Sequence, residues 1–133
     1  MELRISDDIW NQINENFGTR GGIYFLYCKH DNGDIIPTDR LLKTDPNGIL
    51  YIGKAISFLE RVVELKKSLS PVHHSKGHEC GFRMKELNLL NKFRYENLFV
   101  RLTESTDELQ LEKEELTKYE LEFGELPPLN RVK

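Results

Sequence analysis

Two tyrosine-bearing triplets, Gly22-Ile23-Tyr24 and Tyr51-Ile52-Gly53, sit in short apolar runs of strand length. Tyrosines on neighbouring strands can bring both hydroxyls to one face of a sheet, where proton chemistry could be done. Tyrosine's strand propensity and glycine's habit of marking bends explain either triplet alone equally well. A second candidate is His73-His74-Ser75-Lys76-Gly77-His78-Glu79-Cys80. Its imidazoles and thiol, with Cys28 as a distant fourth ligand, could hold zinc, but the spacing matches no standard zinc pattern. It reads better as a loop on the substrate side.

In this order the triplets resemble the GIY-YIG nuclease family, whose name spells both. The likeness continues through Arg61 on the helix after the second triplet, Leu109-Gln110-Leu111-Glu112, and Asn130 behind Pro127-Pro128-Leu129. It spans residues 21–130. It implies an α+β domain with a central three-stranded, mainly antiparallel sheet flanked by helices. It also implies a metal-dependent DNA endonuclease with Tyr24 as general base, Tyr51 orienting the water or Tyr24, Arg61 stabilising the transition state and Glu112 holding Mg²⁺ or Mn²⁺. Many members carry a histidine soon after the arginine, which points to His73 or His74, with His74 preferred.

Phosphodiester hydrolysis suits these side chains. A single carboxylate leaves most octahedral positions of Mg²⁺ to water and phosphate. A planar, permanently charged guanidinium grips phosphate at two points. A phenol with a pKa of about 10 must be lowered by a neighbouring cation to act as a base. Gly53 would let the backbone approach the phosphate and Lys54 adds positive charge beside it. Lys66, Lys67 and Arg83 are candidate DNA contacts. Gly22 and Asn130 are structural, Asn130 tying the tail to the core. Ordinary alternatives stand beside these roles. Arg61 fits a solvated amphipathic helix, and Glu112 fits an acidic surface with Glu114 and Glu115. Glu115 rivals Glu112 for the metal, and the Leu-x-Leu-Glu register favours Glu112.

The elements that must position these groups can be read from pattern. Ser6, Asp7 and Asp8 predict a helix start, Ile9, Ile13 and Phe17 an inward stripe, and Gly18 a stop, giving a helix over about 6–18. Residues 23–28 predict a central strand covered on both faces. Residues 29–48 read as a connection with turns at Asp31-Asn32-Gly33 and Pro46-Asn47-Gly48. Residues 49–52 predict a strand. Ser57 with Glu60 reads as a capping box for a helix bearing Phe58, Val62, Leu65 and Leu69, which ends before Pro71. Residues 70–81 read as loop, Met84, Leu87 and Leu90 as a helix, and residues 98–102 as a strand. Ser105 with Glu108 predicts a last helix with Leu109, Leu116, Tyr119 and Phe123 inward and Gly124 as stop. Residues 25–50 exceed the family's usual hairpin, so an extra excursion is expected there.

The 133 residues suit one domain over 1–133, with a core at 21–130 and the first helix as an extension. The hydrophobic fraction of 38% excludes a disordered chain. No apolar run approaches the roughly 18 residues of a membrane span, and the opening residues do not resemble a signal peptide. Two cysteines cannot frame a secreted mini-protein, so a cytoplasmic setting is expected. The net charge of −3 hides a division. Residues 51–101 hold ten Lys/Arg against five Asp/Glu, whereas 104–125 hold two lysines against nine acids. A basic face for DNA and two solvated helix surfaces both explain it. With no appended DNA-binding module in view, substrate choice falls to this domain, a loop such as 29–48, a partner protein or a dimer. The competing function is a catalytically inactive nucleic-acid-binding or protein-interaction module on the same fold.

Overall fold

A computed structural model describes residues 1–73 and 77–132. Strands β1 (Glu2–Arg4), β2 (Gly22–Cys28), β5 (Tyr51–Ala55) and β6 (Leu98–Glu104) form one antiparallel sheet in the order β1-β6-β2-β5. The sheet has four strands rather than the expected three. Only Leu3 of β1 is buried, and three residues are too few for an alternating pattern to register in sequence. Strand β2 is central and buried along its whole length, as its unbroken apolar run requires.

Helices α1 (Ile9–Phe17), α2 (Phe58–Leu69) and α3 (Glu79–Glu86) cover one face of the sheet, and α4 (Glu108–Phe123) covers part of the other. Tyr24, Leu26 and Cys28 point into the first layer with Phe58, Val62, Leu65 and Leu69. Ile23, Phe25 and Ile52 meet Leu116, Tyr119 and Phe123 of α4 in the second. The period of two along β2 thus feeds two cores. Where α4 leaves the sheet open, Tyr27 and Phe99 stack, with the cationic ends of Arg4 and Lys29 over Phe99. Among the described residues no helix is long and apolar enough to cross a membrane.

Several local expectations shift. Asp8, not Ser6, is the N-cap of α1, because the Asp7 amide is held in a turn by the Arg4 carbonyl. Neither predicted capping box forms. Ser57 stands at the N-cap of α2 without a side-chain bond, and α4 is capped by Asp107, which accepts from the Gln110 amide. Strand β5 begins at Tyr51 and continues through Gly53 to Ala55. The 29–48 connection contains a small ribbon, β3 (Thr38–Asp39) with β4 (Thr44–Asp45). Helix α3 begins inside the expected 70–81 loop and stops at Glu86, followed by a 3₁₀ turn at Leu89–Asn91. Leu109, expected inward, is 49% exposed because it lies beyond the part of α4 that meets the sheet.

Candidate active site at the β5 edge

Antiparallel pairing sets Tyr24 opposite Gly53 and Leu26 opposite Tyr51. Both phenols therefore face the α1–α3 layer, with ring centroids 6.1 Å apart. Gly53 has a purpose the sequence does not reveal. A Cβ there would lie 2.3 Å from Tyr24 Cζ and 2.5 Å from its hydroxyl, so the glycine makes room for the buried ring rather than for a phosphate. At Gly22 a Cβ would meet the Thr103 carbonyl oxygen at 2.0 Å, so the close pairing of β2 with β6 leaves no room for a side chain there.

His78, outside the preferred histidine pair, meets the tyrosines. It is fully buried at the N-cap of α3. Its Nδ1 accepts the Cys80 amide hydrogen at 3.2 Å, and its Nε2 lies 2.7 Å from the Tyr24 hydroxyl. Nδ1 must therefore be unprotonated, which in a neutral ring puts the hydrogen on Nε2, directed at the Tyr24 oxygen. Burial, aided by the Arg61 charge, pushes the imidazole down to about 3 and keeps it neutral. The signal for His78 was its place after the arginine helix. It stands at the junction where the loop after α2 enters α3, a position that the motif order alone does not mark.

Arg61 lies half-buried on α2 and donates from Nη1 to the Gly77 carbonyl at 3.2 Å. Its charge favours the ionised form of both phenols, yet burial dominates. Tyr24 is raised well above the usual phenol range by burial and then by Tyr51, and Tyr51 is pushed up to about 12, first by burial. The Glu112 carboxylate also raises Tyr51, across a shared cavity.

That cavity, about 240 Å³, is lined by Tyr51, Lys54, Glu79, Cys80, Glu112 and Asn130, among others. Although α4 packs on the far face of the sheet, β5 is the edge strand, so Glu112 reaches the cavity from beside it. Glu112 pairs with Lys54 at 3.5 Å, and Glu79 with Arg131. Glu115 faces elsewhere, pairing with Lys118 and lining a different cavity. Asn130 holds the tail against β5. Its Oδ1 accepts the Ile52 amide hydrogen and its Nδ2 donates to the Ile52 carbonyl, each at 2.9 Å.

The remaining candidates do not converge here. Arg83 donates to the Leu129 carbonyl at 3.1 Å, and Lys66 to the Asp7 carbonyl, joining α2 to the turn before α1. Lys67 is exposed on α2, and neither lysine lines the cavity. His73 bonds Ser70 at 3.1 Å, and His74 lies outside the described residues. Cys28, the distant zinc candidate, is buried on β2, and both ring nitrogens of His78 are engaged. No protein-family model, curated protein or solved structure matches this chain.

Proposed function

We propose that the chain is a metal-dependent DNA endonuclease of GIY-YIG type that hydrolyses one phosphodiester bond per encounter. The observation that carries this reading is the gathering of Tyr51 and Glu112 on one cavity, with Arg61 acting on both tyrosines and Tyr24 directly behind. These groups come from four elements and two faces of the sheet, so no single packing requirement accounts for their meeting.

The donor set suits a hard divalent cation with phosphate. Glu112 and Glu79 offer carboxylate oxygens, and their present partners Lys54 and Arg131 are the groups a phosphate would attract. Glu112, with Glu79, would hold Mg²⁺ or Mn²⁺, which neutralises charge on the phosphate and the leaving oxygen. Arg61 grips the non-bridging oxygens and stabilises the charge that grows on them. Tyr51 orients the attacking water from the cavity wall. The water oxygen bonds phosphorus, its proton passes towards the Tyr24 oxygen, and the P–O bond to the departing strand end breaks. Hydrogen donation from His78 Nε2 favours the Tyr24 phenolate and partly offsets the cost of burial. His78 is thus a positioning residue.

One observation favours the second reading, a binding module without turnover: Tyr24 is wholly buried, and its ionisation is opposed by that burial. Nicking of supercoiled plasmid in Mg²⁺ or Mn²⁺ separates the two. Wild type is expected to yield open circles, and Tyr24→Phe, Arg61→Ala and Glu112→Ala to yield almost none. Binding without nicking by wild type would establish the second reading, and equal nicking by the variants would overturn the catalytic roles given to these three residues.

A further inference from the structure

Beside the polar cavity, and sharing Lys54 with it, runs a larger groove of about 520 Å³ between the β5–α2 turn and the first turn of α4. Ile56, 84% exposed, stands on one side, and Leu109, 49% exposed, on the other. We propose that this groove receives an unpaired nucleobase next to the scissile phosphate, so that the substrate is a strand with a bulged or extruded nucleotide. The inference rests on the nuclease reading and supplies its substrate class.

Charge and shape point the same way. Glu60, Glu64 and Glu108 line the groove, against the two cations Lys54 and Arg61. A phosphate would be repelled from the acidic stretch and drawn to Lys54 and Arg61, where the candidate chemistry lies. A base carries no net charge, presents apolar faces to Ile56 and Leu109, and can donate exocyclic amine hydrogens to carboxylates. A base that is stacked and paired in a duplex cannot enter such a groove, whereas an unpaired one enters at little cost. One nucleotide would then straddle both sites, its base among the apolar and acidic side chains and its phosphate among the cations. The two exposed aliphatic side chains, unexplained by packing, thereby gain a partner.

The test uses the full chain and two otherwise identical duplexes. One is fully paired, and the other carries a single bulged 2-aminopurine, which bears an exocyclic amine and reports its surroundings by fluorescence. The bulged duplex is expected to bind at least about tenfold more tightly, to change its fluorescence on binding, and to be nicked beside the bulge. Ile56→Ser, at a position with almost no packing to lose, and Leu109→Ala should each reduce that preference severalfold, and together abolish it. Equal binding and nicking of the two duplexes would overturn the inference while leaving the nuclease reading intact. So would preference retained in the double variant. If neither duplex is nicked, the nuclease reading fails, and the binding preference and fluorescence still decide whether the groove takes a base.

Discussion

Two buried tyrosines on opposite sides of the sheet answer to different demands. Tyr119, on α4, donates to Asp45 at 2.8 Å, and Asp45 also accepts from the backbone amides of Asn47 and Ile49. That carboxylate is completely buried and fully engaged, and it clamps the β4–β5 turn against α4. Tyr24 meets His78 at 2.7 Å, but around this pair stand Arg61, Tyr51 and a cavity bordered by Lys54 and Glu112. The first cluster spends its buried carboxylate on hydrogen bonds within the fold, although Asp45 and Tyr119 also border a cavity of about 190 Å³. The second sets the Arg61 cation and a neutral imidazole beside its phenols, next to the cavity of Tyr51 and Glu112. Polar residues that satisfy one another stabilise a fold, whereas those held beside a cavity remain available to a ligand.

The sharpest break between the regions is expected from Arg61→Ala, which should reduce nicking by about 10²–10³-fold while urea unfolding changes little. Asp45→Ala should do the reverse. Stranding the Tyr119 hydroxyl and two buried amides should cost about 3 kcal/mol of stability, with the folded fraction still cleaving at the wild-type rate. If Asp45→Ala abolished cleavage without loss of stability, the division would be wrong. Gly53→Ala should cost both properties, about 1–3 kcal/mol by overpacking against Tyr24 together with a lower nicking rate, because it displaces the phenol itself. Finally, His78 titrates at about 3 in the folded chain, below the ordinary 6.5. The unfolded chain therefore binds the extra proton first, and stability should fall as pH drops from 6.5 towards 3, by about 1.4 kcal/mol per pH unit. His78→Leu should flatten that slope, whereas Tyr119→Phe should leave it in place. A His78→Leu profile that kept the full slope would show that other groups control it.

Much of the frame was legible because its signals are periodic. The unbroken run of β2, the stripe of Phe58, Val62, Leu65 and Leu69, and the left-handed Gly124 after α4 are local features with local causes. Strand β1 was not legible, since its place beside β6 depends on a partner nearly a hundred residues away. The same holds within the site. Tyr51 and Glu112 could be named from motif order, but the meeting of His78 with Tyr24 depends on where a long loop delivers the start of α3. Gly53 illustrates the limit best. A glycine near a phenol admits a phosphate or a ring, and only the register of β2 against β5 shows which.

The chain's final segment has a practical consequence. Leu129 donates its amide hydrogen to the Leu50 carbonyl, and Asn130 engages both backbone groups of Ile52, so the tail occupies the outer margin of β5. Removing it would strip a wall from the cavity and bare a row of hydrogen-bonding groups, a ready template for strand exchange between molecules. A shortened version ending before Pro127 should therefore associate and precipitate.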